Sequence, residues 1–222
     1  MIIAKFVAVM IIGYLLGSIP FGVLIGKQKT RKDIRQYGSG RMGAANVLRT
    51  AGGKAAAAVL AFDLSKGVMA VVFAGLIVGD SYMVVGSFGL GKLLAQILAA
   101  LSAVAGHNWS VFLKFKGGRG VATFFGGLFA LCPVAALFGG EVLIIGVGLS
   151  RYISLGSIVG AVGAYVILAP LTILSGFPIE YLVYALAGSI IVFAMHRDNI
   201  GRLVSGRERK LFDKVELGDF SS

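Results

Sequence analysis

The chain has 222 residues, 57% of them hydrophobic and only 14% charged, with a mean hydropathy of +0.90. A soluble domain carries about a quarter charged residues, so the composition excludes that class and identifies an integral membrane protein. The net charge of +11 does not indicate nucleic acid: the cations fall in polar segments between apolar runs, as in the cytoplasmic loops of membrane proteins, with anionic lipids as a second use.

Lys5 precedes an apolar run without a clear small-x-small cleavage site, so the N-terminus reads as a retained first helix. This span covers roughly Ile3–Ile25, and Gly17-Ser18-Ile19-Pro20 predicts a kink in its second half. A basic loop from Lys27 to Lys54 follows, then a second span over Ala55–Val78 and a turn at Gly79-Asp80. The third span runs over Met83–Ala105. Val121–Ser150 fits one long tilted helix or two short ones turning near Cys132-Pro133. Two passes of about 15 residues fall short of a ~30 Å core. Charge parity nevertheless favours them, because only two passes keep Arg151 and the basic C-terminal tail on the side of the other basic loops. Cys132 is the only cysteine, which excludes an intrachain disulfide and a multi-cysteine metal site. It reads as a packed, inert thiol. Two further spans, Ser154–Leu174 and Glu180–Met195, are joined at Gly176-Phe177-Pro178.

The sum is an all-α fold: a polytopic integral membrane helical bundle of seven transmembrane helices, with the N-terminus outside and the C-terminus cytoplasmic. Residues 1–196 form a single transmembrane domain with cytoplasmic motif loops at 27–54, 106–120 and 151–154, and residues 197–222 form a polar cytoplasmic tail, Lys214 among its cations. The Gly and Ala recurring through the spans suit close helix packing in lipid.

This topology gathers four polar clusters on one membrane side. Gly38–Arg49 offers Ser39 and Asn46 as hydrogen-bonding groups and Arg49 as a bidentate phosphate grip. A flexible basic loop that merely sets orientation is the alternative. Gly106–Thr123 holds His107, Lys116, Gly117, Gly118, Arg119, Gly120 and Thr123. Its glycines let backbone N–H groups approach an anion, and it opens directly onto a helix N-terminus. A glycine-rich turn with interfacial Lys and Trp anchors competes with that phosphate cradle, and His107 reads equally as a helix C-cap residue. The joint density of glycines and polar groups favours the cradle. Arg151-Tyr152-Ile153-Ser154, taken alone, reads as an interfacial anchor plus N-cap. His196 and Asn199 are three apart and share a face if the last helix continues, with Arg202 and Glu208 beyond. Each of the two histidines ends a span on this side, which a shared polar site explains.

Asp63 and Lys66 are spaced to pair within the second span, as a structural ion pair or as functional intramembrane charges. Lys92 and Glu141 receive no role. There is no Gly-x-Ser-x-Gly elbow, no catalytic cysteine, no carboxylate pair and no metal-ligand spacing. His-x-x-x-x-Asp is absent too, since Phe112 and Leu113 follow His107 at the relevant spacings. Any reaction rests on positioning and electrostatics.

At these residues the chain resembles the bacterial acyl-phosphate:glycerol-3-phosphate acyltransferase family. The matches are Gly38-Ser39-Gly40…Asn46…Arg49, then Gly106-His107…Phe115-Lys116-Gly117-Gly118-Arg119-Gly120-Val121-Ala122-Thr123, and His196…Asn199…Arg202-Leu203…Gly206…Glu208. Asp63-Leu64-Ser65-Lys66-Gly67 resembles a pattern of the family's second helix. The resemblance covers essentially the whole chain. It implies transfer of a fatty acyl group from acyl phosphate to the sn-1 hydroxyl of glycerol 3-phosphate, giving lysophosphatidic acid and phosphate. It also implies no cofactor, no metal, membrane lipids as surroundings, and a bacterial inner-membrane location with the site facing the cytoplasm. Ser39, Arg49, Arg119, His196 and Asn199 would be catalytic. Asn46, His107, Lys116, Gly117, Gly118, Gly120, Thr123 and Ser154 would bind substrate, the Gly117–Gly120 loop holding the donor's phosphate. Arg119 departs from the family's usual Lys, which keeps the charge but changes reach and fork geometry. The expected mechanism is substrate-assisted, with a substrate phosphate accepting the hydroxyl proton and no covalent enzyme intermediate. A small transporter of phosphorylated metabolites is the alternative, and a non-catalytic anionic-lipid-binding protein a third. Neither acyl-chain preference nor oligomeric state is readable from the sequence.

Overall fold

The computed structural model describes residues 2–86 and 88–213. Among these, helix dominates, with one small β-hairpin. The first apolar run forms α1 (Ile2–Ser18) and α2 (Phe21–Thr30), separated at Ile19-Pro20. Pro20 has no N–H to give the helix ladder, so carbonyls at the break need other donors. Lys66 Nζ donates to the Gly17 carbonyl at 3.1 Å and Ser110 Oγ to the Ser18 carbonyl at 2.6 Å. Lys66 is itself paired with Asp63 at 2.8 Å, and neither side chain is more than 3% exposed. This ion pair is structural: it joins the second long helix to the broken end of the first.

The basic loop expected from Lys27 to Lys54 is more ordered than its composition suggests. It contains a 3-10 turn at Ile34–Gln36 and a helix, α3 (Ala44–Ala51). Ile34 and Val47 are fully buried and pack with Ala55, Ala56 and Val59 at the start of α4 (Gly53–Val78). Those few apolar residues suffice to fold the segment.

The third expected span is corrected at its beginning. Met83–Val85 and Phe88–Leu90 are strands β1 and β2, paired antiparallel with Val84 opposite Gly89. The β-branched Val84 and Val85 suit a strand, and Gly86 takes a left-handed φ of +62° in the turn. The helix that follows, α5 (Lys92–Asn108), has 17 residues. Val121–Ser150 breaks at Cys132 into α6 (Val121–Leu131) and α7 (Pro133–Ser150), with Pro133 in the first turn of α7. The halves are unequal, at 11 and 18 residues. Gly120 before α6 and Ile153 after α7 line one cavity, so α6 leads away from that end and α7 returns. The chain closes with α8 (Ile153–Ser175), α9 (Ile179–Met195) and α10 (Arg197–Val204). The last helix does continue past His196, but bent by 60°.

Among the described residues, four helical segments are long and apolar enough to cross a membrane: Ile2–Thr30 taken together, α4, α7 and α8; α9 with α10 makes a fifth. A count of seven also needs the shorter α5 and α6 as passes. Close helix contacts are made by glycines. A Cβ at Gly13 or Gly17 of α1 would overlap the Ala99 or Ala103 carbonyl of α5, and one at Gly67 or Gly126 would overlap backbone across the α4–α6 crossing. The core is centred on Phe124 of α6 stacked on Tyr184 of α9, centroids 5.4 Å apart, with Tyr184 Oη donating to the Phe124 carbonyl at 2.9 Å.

Candidate active site

A cavity of about 960 Å³ opens at the end of the bundle where α2–α3, α5–α6, α7–α8 and α9–α10 connect. Its polar end is lined by Ser39, Arg41, Asn46, His107, Arg119, Gly120 and His196. Its long arm is apolar, with Leu60, Leu64, Phe125, Phe129, Leu143 and Ile144 among its walls.

Asn46 builds the first part of the polar end. Its carbonyl oxygen accepts from the Ser39 N–H at 2.9 Å, and its amide donates to the Ile34 and Arg41 carbonyls, each at 2.9 Å. The side chain is buried and its hydrogen bonds shape the Gly38–Arg41 loop beside the cavity. The Ser39 hydroxyl has no partner among the described residues.

Gly106–Thr123 divides its labour differently from a simple cradle. The Gly117 and Gly118 N–H groups donate to the Asn108 and His107 carbonyls at 3.1 and 2.9 Å, so they tie the loop to the end of α5. A Cβ at Gly118 would overlap His107 Nε2. His107 is buried in the last turn of α5, its Nδ1 3.7 Å from Asp63 Oδ1 and 3.5 Å from Lys66 Nζ. It is a pedestal under the loop. Gly120, at φ +74°, starts α6, whose first-turn N–H groups have no intrahelical acceptors and open beside Val121 and Ala122 of the cavity lining. Arg119 stands at this helix N-terminus, its Nε buried without a partner. Burial, and then repulsion from Arg41, lowers its pKa to about 10, which leaves it charged at neutral pH. A charged, desolvated fork at a helix N-terminus is an anion site. Lys116 is exposed and Thr123 is fully buried with its hydroxyl unpartnered; neither lines the cavity.

The third and fourth clusters meet on Glu208. Its Oε1 accepts from Asn199 Nδ2 at 2.6 Å and Ser154 Oγ at 3.0 Å, and its Oε2 from Arg202 Nε at 2.8 Å. Burial opposes the charged form, but these three donors outweigh it and hold the carboxyl below its ordinary pKa. Ser154 and the Asn199 amide are thereby occupied, while Asn199 Oδ1 is buried and unpaired. Arg49 donates through Nη2 to the Lys210 and Arg209 carbonyls at 3.1 and 3.4 Å, and Leu211 N donates to the Arg151 carbonyl at 2.8 Å. The segment 205–213 is thus folded back over the site. Burial, then Arg209, depresses the Arg49 pKa. His196 Nδ1 lies 2.7 Å from the Val192 carbonyl; a carbonyl only accepts, so Nδ1 carries the hydrogen, and Nε2 of the neutral ring is an acceptor.

Of the five residues expected to be catalytic, Ser39, Arg119 and His196 line the cavity, while Arg49 and Asn199 stand one layer behind it. Of the expected substrate-binding residues, Asn46, His107 and Gly120 line it; Lys116, Gly117, Gly118, Thr123 and Ser154 do not. Sequence reasoning omitted Arg41, which lines the polar end and lies 3.8 Å from Asp198. Glu208 was named with the fourth cluster but given no role; the structure makes it the acceptor on which Asn199, Ser154 and Arg202 converge. Among the described residues no cluster of three metal-ligating side chains occurs.

Residues 7–206 match the family described as glycerol-3-phosphate acyltransferase. A glycerol-3-phosphate acyltransferase 3 of Dehalococcoides mccartyi is 64% identical over 96% of this chain and 99% of its own length. The glycerol-3-phosphate acyltransferase of Thermus thermophilus is 40% identical over 93% and 96%. The crystal structure of PlsY, an integral membrane glycerol 3-phosphate acyltransferase, in its glycerol 3-phosphate form has a TM-score of 0.79 to this fold at 36% identity. It covers 92% of this chain and 94% of that one. The lysophosphatidic acid form gives 0.78 at 35%. With a family match spanning nearly the entire chain, a close relative of full length and the same fold, the chain belongs to the glycerol-3-phosphate acyltransferase family and is an acyltransferase.

Proposed function

We propose that this enzyme transfers a fatty acyl group from acyl phosphate to the sn-1 hydroxyl of glycerol 3-phosphate, releasing lysophosphatidic acid and inorganic phosphate. One observation carries the reading: a single cavity joins a cationic, hydrogen-bonding end to a long apolar arm, which fits a substrate with an anionic head and an acyl chain. PlsY, the structural relative, was solved with glycerol 3-phosphate and with lysophosphatidic acid, the acceptor and product assigned here.

In this scheme Arg119 and the free N–H groups at the start of α6 hold the acyl donor's phosphate. Ser39, Arg41 and Arg49 receive glycerol 3-phosphate, with Glu208 keeping Asn199 and Ser154 in place. His196 Nε2 accepts a hydrogen bond from the attacking hydroxyl and orients it. The hydroxyl oxygen forms a bond to the acyl carbon, the carbon–oxygen bond to phosphate breaks, and the proton leaves with the phosphate. The arginines offset charge that gathers on the leaving group. No side chain forms a covalent intermediate, and no cofactor or metal enters the scheme.

The same reading makes α1, α4, α5, α6, α7, α8 and α9 seven passes of the bacterial inner membrane, with the N-terminus outside and the site and C-terminus in the cytoplasm. The short α6 is backed by α7, and the cations cluster at the site end as the positive-inside rule requires. The transport alternative has no support from a polar site confined to one end of the bundle.

The test is direct. Purified enzyme in lipid nanodiscs, given palmitoyl phosphate and glycerol 3-phosphate, yields lysophosphatidic acid and phosphate in equal amounts. Palmitoyl-CoA and palmitoyl acyl carrier protein yield none. Product from the thioesters but not from the phosphate would overturn the donor assignment.

A further inference from the structure

The apolar arm of the cavity is a trough, with α6 as its floor and α4 and α7 as its walls. Its lining runs from Ala56 to Val68 on α4 and from Gly148 to Ala136 on α7, in each case twelve helical steps, or about 18 Å. Phe129 of α6 and Ala136 stand towards the far end. The two glycines of α7 in this wall are unlike its other glycines. A Cβ at Gly139 would press on Ala164 and the Gly160 carbonyl of α8, so close packing accounts for that glycine. At Gly140 and Gly148 an added Cβ would meet no atom within 4 Å. Glycine weakens a helix interior relative to alanine, so packing gives no reason for either. What both do is leave the trough wide, Gly148 beside the polar end and Gly140 eight residues, roughly 12 Å, further along.

We infer that Gly140 sets the length of acyl chain the enzyme accepts: its missing side chain leaves open the part of the trough that long acyl tails need. The occupant is the chain of the transferred acyl group, because the cationic end fixes the head and the walls of the arm are apolar apart from Asp63, ion-paired with Lys66, and Ser157, whose hydroxyl donates to the Ile153 carbonyl. This rests on the acyl-transfer reading of the cavity, not on the nature of the leaving group. A side chain at Gly140 blocks the trough beyond its middle, so short chains still fit and long ones are displaced sideways into lipid. A side chain at Gly148 lies near the head and disturbs every chain length alike.

The experiment uses the full chain in nanodiscs with saturated acyl phosphates from octanoyl to octadecanoyl, saturating glycerol 3-phosphate, and lysophosphatidic acid read by mass spectrometry. In Gly140→Leu, the kcat/KM ratio of hexadecanoyl to decanoyl substrate falls roughly tenfold. That is the low end of what a methylene-sized misfit costs in an apolar pocket, because an excluded tail retreats into lipid and not water. Gly140→Ala shifts the ratio in the same direction by less, and Gly148→Leu lowers all lengths without changing it. A chain-length profile for Gly140→Leu parallel to wild type, whether undiminished or uniformly reduced, overturns the inference. Should Gly140→Leu not fold, an unchanged ratio in Gly140→Ala overturns it. A wild-type enzyme that uses acyl thioesters and not acyl phosphates defeats the donor assignment alone; the same variants assayed on thioesters then decide Gly140.

Discussion

Glu208 is the residue on which the site's rear wall depends, and Glu208→Gln isolates its charge. The side chain is 5% exposed and receives hydrogen bonds at 2.6, 2.8 and 3.0 Å from Asn199, Arg202 and Ser154. Glutamine keeps the shape but replaces one acceptor oxygen with an NH₂ group. Whichever way it turns, a donor faces either Arg202 Nε or the Asn199 and Ser154 pair. Losing one charge-assisted bond and leaving its donor unmet costs about 2–3 kcal/mol. For a chain of this size that lowers Tm by roughly 4–12 °C. Cys132, the single cysteine and only 3% exposed, supplies the assay, because a thiol-reactive dye labels it only as the bundle opens. pH gives the discriminating measurement. The folded pKa of Glu208 lies below the ordinary 4.5, so its contribution is full above that value and lost as pH falls through the lower folded pKa. The Tm gap between wild type and Glu208→Gln is therefore constant from neutrality down to about pH 4.5 and closes below it. Equal Tm values at neutral pH, or a gap that persists in acid, would refute the role given to this carboxylate.

Three further outcomes follow from the same geometry. Arg119→Ala, which empties the cationic site at the start of α6, lowers kcat/KM by roughly 100-fold or more, while Arg119→Lys retains most of it because the charge is kept; equal losses in both would place the demand on the planar fork. Lys66→Met strips Asp63 and the Gly17 carbonyl of their buried donor and costs about 3–5 kcal/mol in thermal unfolding, whereas the double variant Lys66→Met/Asp63→Asn recovers part of the loss. Additive effects in that cycle would show that the two side chains do not act as a pair. His196→Ala lowers kcat by roughly 100-fold; full turnover in that variant would show that Nε2 does not orient the attacking hydroxyl.

The long apolar helices were legible in the sequence because their signal is additive over some twenty residues and indifferent to detail. The kink at Pro20 and the break at Cys132-Pro133 were legible too, because proline acts locally. What escaped were short elements that depend on a few distant contacts. α3 forms because Val47 finds Ile34 and Val59. Met83–Val85 and Phe88–Leu90 pair as strands inside a run whose hydropathy alone reads as helix. In the site, the motifs located the residues, but spacing does not show which atoms are already engaged. Gly117 and Gly118 suggest a phosphate cradle until their N–H groups are seen to meet the carbonyls of Asn108 and His107. In the proposed scheme the anion-binding role then falls to Arg119 and the first turn of α6, which those two glycines hold in place.

That division of labour explains why residues of so little individual chemistry recur in so dense a motif. A loop that bound phosphate through its own N–H groups would need only freedom of φ, and Gly120 at +74° supplies that. Gly117 and Gly118 meet a different demand, since a side chain at either would overlap the end of α5 and push Arg119 away from the cavity. His107 extends the same chain of support inward, through Asp63 and Lys66 to the Gly17 carbonyl at the helix break. In the proposed scheme the buried ions of the second long helix therefore bear on the reaction through the position of Arg119. Damage at Lys66 should reach activity through the position of Arg119, as a raised KM for the acyl donor with KM for glycerol 3-phosphate little changed. A selective rise in KM for glycerol 3-phosphate would break that chain of inference at His107.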